Sequence, residues 1–301
     1  MPQPNLSHLA VFAAVARHKS FQRAASEAGM STSAVSHAIR GLEERLGVSL
    51  LNRTTRSVSL TDAGKRLLER LQPALRDVGD ALDEMNNFRT SPTGTLRINT
   101  SRAGAQLVIQ PLVQTFLAAY PEIRLEIVDE DGLVDIVASG FDAGIRFIET
   151  VPEDMVAVNI GGMRRWAAVA SPGYFASRPI PHVPDDLRTH DCIRYRFPSG
   201  RIFRWEFEKG ETKLELEVDG RITLGDQVLA AQMARDGAGL AFVFEDYVLG
   251  DIERGRLIRV LEDWCPRFPG FMLYYPRQRQ MPSALRAFID LAQAQSETAA
   301  N

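Results

Sequence analysis

The sequence predicts a multidomain α+β chain, with a small helical N-terminal unit, one long helix and an α/β body. Three observations carry this. Ser20–Arg56 reads as helix, tight turn, helix and basic loop. Thr61–Arg89 carries apolar side chains that alternate by three and four positions. Beyond Thr90–Gly94 (TSPTG), short strand-like runs alternate with helical ones. A length of 301 residues allows two or three domains with real cores.

In the first region, Gly29 supplies the turn, because a residue without Cβ enters φ > 0 most easily. Ser31 caps the following helix. There Val35, Ile39, Leu42 and Leu46 fall at i, i+4, i+7 and i+11, one apolar face. Ser33, His37 and Arg40 point the opposite way, with Thr32 and Ser36 on the flanks. A small, polar, acid-free face of this kind fits a DNA major groove and hydrogen-bonds base edges. An ordinary amphipathic surface helix has the same spacing, so the neighbours decide. Ala24, Ala25 and Ala28 are small enough to let two helices cross closely. Arg53-Thr54-Thr55-Arg56 sets two guanidiniums and two hydroxyls in a wing suited to phosphates. Leu6–Arg17, with Leu6, Leu9, Phe12, Ala13 and Ala16, is predicted to complete a three-helix core, and Val48–Leu60 to form the wing.

In the long helix Leu68, Leu71, Leu75, Val78, Leu82 and Met85 form an a/d seam, with charged residues on the other faces. A helix lying on its own core usually has a wider apolar stripe, so the narrow seam predicts a homodimer. Pro73 falls inside it and predicts a kink. A dimer would hold two recognition helices about 34 Å apart, the spacing that reads an interrupted palindrome.

In the body, strands are expected at Leu96–Asn99, Arg124–Val128, Ala143–Phe147, Trp166–Ala170, Cys192–Arg196, Phe203–Phe207, Leu214–Val218, Leu240–Phe244 and Phe271–Tyr275. Helices are expected at Ala103–Tyr120 (broken at Pro111), Leu133–Ala138, Asp226–Arg235 and Ser283–Ala294. The alternation implies a parallel, doubly wound sheet. Charge follows the same division. Residues 1–60 carry seven basic and three acidic side chains, or +4, which leaves 28 basic against 35 acidic, or −7, on the remainder. A basic N-terminal unit on an acidic body suits nucleic-acid contact through that unit.

The N-terminal residues resemble those of LysR-type transcriptional regulators. The match rests on Phe21, Ala24-Ala25, Ser33-Ala34-Val35-Ser36, Ile39, Leu42-Glu43, Leu46-Gly47, Leu50, Arg53-Thr54-Thr55-Arg56, Leu60-Thr61 and Ala63-Gly64, with Leu51 in place of the usual Phe. A looser resemblance runs through Pro111-Leu112, Tyr120-Pro121, Phe141–Arg146, Ala170-Ser171-Pro172 and Gly237–Leu240. It implies a winged helix-turn-helix at 1–60, a linker (dimerisation) helix at 61–89, a hinge at 90–94 and an effector-binding domain at 95–301. That domain would have two α/β lobes like those of periplasmic binding proteins. Lobe I would span about 95–163 and 270–301, and lobe II about 164–269. The crossing strands are expected near Gly162–Ala168 and Pro266–Leu273. The resemblance further implies a promoter-binding regulator that forms dimers and tetramers and answers to a small-molecule effector. RNA polymerase stands as a further candidate partner.

Ligands of open α/β folds bind past the carboxyl ends of strands. Thr100, Ser101 and Arg102 follow the first strand, Asp131 and Arg146 lie at the next strand ends, and Leu224 and Asp226 precede a helix of the second lobe. These are the predicted effector residues, set in mixed charge, and a small organic acid or an amphoteric metabolite is the expected ligand. For each there is a structural alternative: Thr100 and Ser101 as helix caps, and Arg146 as the partner of Asp142. The aromatic run Tyr195, Phe197, Phe203 and Trp205 is expected to be packing.

There is no GxxxxGK[ST], HExxH or GxSxG motif, and the five histidines show no metal spacing. Cys192 and Cys265 fit no zinc or CxxC pattern and are expected to be buried thiols. No catalytic residue, metal or cofactor is therefore predicted. With no membrane-length apolar run and no secretory start, a cytoplasmic protein is expected. Two other readings remain: a two-lobe solute-binding protein with a non-functional N-terminal domain, and an enzyme on the two-lobe fold. Thr32, Ser33, Ser36, His37 and Arg40 are the predicted base-edge contacts, and Arg53, Thr54 and Arg56 the wing contacts. Arg56→Ala should weaken binding to all DNA sequences alike and lower the salt slope by about one unit, read by titration at several salt concentrations. An effect confined to one base position would contradict a phosphate role.

Overall fold

The computed structural model describes residues 5–53, 58–86, 91–277 and 281–300; the side chains of 53, 76, 77, 80–86 and 297–300 are left out of the description. The chain divides into two compact units, Met1–Pro92 with Asp135–Phe141, and Thr93–Val134 with Asp142–Asn301.

The first unit begins with α1 (Leu6–His18), α2 (Phe21–Ala28) and α3 (Thr32–Leu46). Ser20 caps α2 by accepting the Arg23 N–H at 3.3 Å. Gly29 ends α2 at φ 62°, and the Met30 N–H closes back on the Ala25 carbonyl at 2.9 Å. Ser31 caps α3 through the Ala34 N–H at 3.2 Å. The core holds Val11, Phe12, Val15, Ala24, Ala25, Val35, Ala38, Ile39 and Leu42. Three expected members sit elsewhere: Leu6, Ala28 and Leu46 are exposed. Ala38 replaces Leu46 because the three-helix core ends before the last turn of α3.

The wing is the antiparallel pair β1 (Leu51–Arg53) and β2 (Val58–Leu60). Glu43 on α3 fixes its start, its carboxylate accepting the N–H groups of Leu50 and Leu51 at 2.8 and 3.2 Å. Then α4 runs from Asp62 to Asn86 with Pro73 inside it. Leu71 is buried in the first core and Leu68 and Leu75 pack against it, while Val78 is exposed. The first half of the expected dimer seam is thus engaged within its own chain. Leu82 and Met85 lie outside the described side chains.

In the second unit, lobe I has a five-stranded sheet in the order β4-β3-β5-β15-β6. Its strands are β3 (Gly94–Thr100), β4 (Ile123–Asp129), β5 (Ala143–Arg146), β6 (Met155–Asn159) and β15 (Met272–Pro276). β3 is parallel to β4 and β5, whereas β15 is antiparallel to β5 and β6. After β3 come α5 (Arg102–Gly104), a π-turn at Ala105–Ile109 and α6 (Gln110–Ala119), with Pro111 tolerated in the first turn of α6. Leu96, Ile98, Leu112, Phe116, Leu273 and Phe288 centre this core.

The lobe II sheet runs β11-β8-β12-β7-β13. Here β7 is Met163–Ala170, β8 Cys192–Tyr195, β11 Ile222–Leu224, β12 Leu240–Phe244 and β13 Ile258–Val260. α7 (Pro172–Phe175) follows β7, and β9 (Trp205–Lys209) and β10 (Thr212–Leu216) form a separate hairpin. α8 (Gln227–Arg235) and α9 (Leu249–Glu253) flank β12 in sequence. β14 (Arg267–Pro269) pairs with the start of β7, and α10 (Ser283–Ala300) closes the chain. β11, β8 and β12 are parallel, and β7 is antiparallel to β12 and β13.

The sheets are therefore mixed, not purely parallel as expected. The antiparallel members are the two crossings between lobes, β7 and the β14–β15 segment, which must run opposite to the strands they join. At the crossing Gly161 is obligatory, because a Cβ there would lie 2.3 Å from the Phe271 nitrogen. Leu133–Ala138, expected as a helix, is a turn in which the Asp135 carboxylate accepts the Ala138 N–H at 2.9 Å.

Candidate functional site

On α3, Thr32, Ser33, His37 and Arg40 are exposed and Ser36 is half-buried, while Val35, Ala38, Ile39 and Leu42 face the core. The predicted polar face is therefore on the outside of a helix anchored by its other side. Ser33 shares a 2.9 Å hydrogen bond with the capping hydroxyl of Ser31, which orients it at the helix start. The acid nearest in sequence, Glu43, is occupied by the wing N–H groups. Arg53 ends β1; its side chain and all of Thr54, Thr55 and Arg56 lie outside the described residues.

In the second unit β3 delivers Thr100, Ser101 and Arg102 to the lobe junction. Thr100 is fully buried, and its hydroxyl donates to the Ser101 carbonyl at 3.1 Å. Ser101 caps α5 through the Gly104 N–H at 3.1 Å. The Arg102 N–H is taken by Asp131 at 2.8 Å. The Arg102 guanidinium crosses to lobe II and donates to Asp226 at 2.7 Å. That bond holds the Arg102 pKa above its usual value. Burial opposes ionisation of Asp226, but the Leu229 N–H and Arg102 win and hold its carboxyl below the usual range. Leu224 packs among the apolar residues behind this face, and its carbonyl accepts the Arg196 N–H.

Arg146 departs from both expectations. It is 5% exposed and does not pair with Asp142, whose carboxylate accepts the Arg97 N–H. Its Nη1 donates to the Ile145 carbonyl, and its Nη2 to Asn99 Oδ1, the Glu130 carbonyl and the Gly132 carbonyl, all at 2.7–3.0 Å. It pins the loop after β4 to the ends of β3 and β5. A charge at a strand end suggested a ligand arm, but nothing local in the sequence signals three converging backbone carbonyls.

Two residues outside the predicted set also belong here. Tyr195 ends β8; burial pushes its phenol up to about 12, and the Asp131 charge adds to this. Tyr247 donates to Gln106 at 2.8 Å, tying the lobes together. Tyr195 was findable, since it occupies a strand's carboxyl end. The rest of the aromatic run is packing as expected: Trp205 and Phe203 stack with Phe242, and Phe197 meets Phe203 edge-on. Cys192 and Cys265 share one core, where burial pushes both thiols up to about 12 and leaves them protonated.

A separate hollow of about 970 Å³ lies within lobe II, lined in part by Arg178, Arg235 and Arg256. Arg235 and Arg256 are tied to buried Asp251, and Arg178 to Asp191, so these side chains brace lobe II. Among the described residues no cluster of His, Cys, Asp and Glu is suited to a metal. No described helix is long and apolar enough to cross a membrane.

A capped helix-turn-helix with a wing, carried by the same chain as a two-lobed ligand-binding fold, defines a ligand-responsive DNA-binding regulator. Residues 6–65 match the bacterial regulatory helix-turn-helix, lysR family, and residues 89–297 match the LysR substrate binding domain. The chain belongs to the LysR family of transcriptional regulators. It is 46% identical over 286 residues to the uncharacterized HTH-type transcriptional regulator YcaN of Escherichia coli K12, covering 95% of this chain and 94% of that one. It is 39% identical to the E. coli K12 regulator PgrR, covering 96% and 97%. Among solved structures, CrgA of Neisseria meningitidis aligns with a TM-score of 0.61 at 28% identity, covering 98% and 99% of the two chains. The full-length virulence activator AphB of Vibrio cholerae shares the fold, with a TM-score of 0.63 at 24% identity over 96% and 99%. These relatives are named as regulators, and the solute-binding alternative is not favoured.

Proposed function

We propose that the protein binds an interrupted palindromic promoter site as a homodimer, or a dimer of dimers, under control of a small effector held between the lobes. The observation that carries this is the exposed row Thr32, Ser33, His37 and Arg40, with Ser36 at its edge, on a helix whose opposite face is core. In this reading those residues meet base edges, and Arg53, Thr54 and Arg56 meet the backbone or the minor groove. The α4 seam serves dimerisation through Val78, Leu82 and Met85, because Leu68, Leu71 and Leu75 are already packed within the chain. Ser101, Arg102, Asp131 and Asp226 form the effector site with Tyr195. Thr100, Arg146 and Leu224 support it from behind. The protein acts in the cytoplasm, without catalysis, and RNA polymerase is the partner through which it would activate.

Effector binding would shift the balance between lobe arrangements and so the spacing of the DNA-binding units. The test is footprinting of purified protein on its own upstream intergenic DNA, with and without pooled cell metabolites. A protected interrupted palindrome whose extent changes with metabolites is expected. Protection that metabolites leave unchanged would remove the cleft reading, and absence of any protected site would remove the DNA reading at that locus.

A further inference from the structure

Resting on the effector reading of the cleft, we infer that the ligand is a cation, carrying a protonated amine or a guanidinium, and not the organic acid that the strand-end cations suggest. A carboxylate ligand needs donors. The Arg102 N–H, which opens α5, already meets Asp131 at 2.8 Å. The Gly104 N–H meets Ser101 Oγ, and the Thr100 hydroxyl is buried and donates to a carbonyl. Across the cleft, α8 begins with its Leu229 N–H on Asp226 at 2.8 Å. Both helix starts thus carry carboxylates of this chain where an anion would sit.

The cations are buried or outnumbered by carboxylates. Arg146 is buried on four acceptors, and its remaining Nε is sealed from solvent. Arg102 is bound to Asp226 at 2.7 Å. The charges felt at Arg102 are those of Asp131, Asp226 and Asp129, three negative against its own one positive. What remains is part of the acceptor capacity, since Asp131 also takes a hydrogen bond from Tyr195 and Asp226 one from the Val228 N–H. Asp131 and Asp226 both bond the same arginine, one at its backbone and one at its guanidinium, so they lie within one side chain's reach. A carboxylate accepts about four hydrogen bonds. A cationic ligand placed there adds donors to both carboxylates and competes with Arg102 for Asp226, one of the bonds that join the lobes, so recognition and the change in lobe arrangement share a contact.

The test is thermal unfolding of the full-length protein at constant ionic strength with three fractions of a cell extract: retained on a sulfonate cation exchanger, retained on a quaternary-ammonium anion exchanger, and retained on neither. A rise in melting temperature confined to the cation-exchanger fraction is expected. Asp226→Asn and Asp131→Asn should each need at least about tenfold more of that fraction for the same rise. Asn at 226 still caps a helix, and Asn at 131 still accepts the Arg102 N–H, so both variants keep their local structure. A rise confined to the anionic or the unretained fraction overturns the charge assignment and leaves the effector reading standing. An equal response of wild type and both variants overturns it too, since the effect would then come from the protein's general negative charge. No rise with any fraction overturns the effector reading, and the charge assignment with it.

Discussion

Ser36→Arg is expected to abolish sequence-specific DNA binding while leaving the fold intact. Ser36 sits half-buried at the edge of the exposed row on α3, between a core-facing Val35 and an exposed His37. A recognition helix enters the major groove as a rigid unit, so its approach distance is set by its bulkiest groove-facing side chain. Arginine at this edge either props the helix away from the base edges or takes a guanine that the operator does not offer there. Specific binding by such modules is typically about 10³- to 10⁷-fold tighter than non-specific binding, so a loss of at least about 10³ is expected on the operator. The added positive charge should leave binding to scrambled DNA unchanged or slightly tighter at low salt. Fluorescence anisotropy on both duplexes, with melting temperature as the control for folding, separates these effects. Normal operator affinity would show that this edge of α3 faces away from the groove.

This prediction rests on the part of the molecule that was most legible. The turn at Gly29, the cap Ser31 and the apolar spacing of α3 act within a few residues of one another, and local spacing is what a sequence displays directly. What escaped was set at a distance. Ala38 lies inside while Leu46, more hydrophobic, lies outside, because burial depends on where the facing helices end. Glu43 fastens the wing, seven and eight residues away, which local spacing does not show. The seam of α4 predicts a dimer surface by its period and its narrow width. The period cannot tell which neighbour covers it, and for Leu68, Leu71 and Leu75 it is the chain's own first core.

The body shows the same division more sharply. The Leu240–Phe244 strand falls where five consecutive apolar residues put it, fully buried. Met155–Asn159, with four consecutive apolar residues, is absent from the expected strands; its place in the sheet is set by β15, more than a hundred residues later, which pairs along its whole length. Asp226 as a helix cap was legible, while its bond to Arg102 was not, since the two are 124 positions apart. The mix of charges at the strand ends is visible in the sequence. Which charges were already spent could be learned only from the partners. That difference moves the expected ligand from an acid to a cation.

Arg146→Met is expected to be the most destabilising single change in the second unit, and its effect should appear with no effector present. The guanidinium satisfies Asn99 Oδ1, itself fully buried, together with the carbonyls of Ile145, Glu130 and Gly132. Methionine fills much of the space and supplies no donor, so these acceptors lose their partner together. A buried acceptor left unpaired costs about 1–3 kcal/mol. The loop carbonyls of Glu130 and Gly132 can recover water, and relief from burying a charge offsets part of the loss, since burial already pulls the Arg146 pKa down. A net loss of about 3–5 kcal/mol follows, in the range found when one partner of a buried charged network is removed. For a unit of this size that lowers the melting temperature by about 10 °C. Arg146→Lys, which keeps the charge but not the planar fork, should fall between the two. Thermal unfolding of the three proteins without ligand decides the role. A drop of this order, graded Met below Lys below Arg, marks Arg146 as the residue that holds the cleft loop in place. A melting temperature within a degree of wild type, together with loss of the metabolite response, would instead return it to the ligand and reopen the case for an anionic effector.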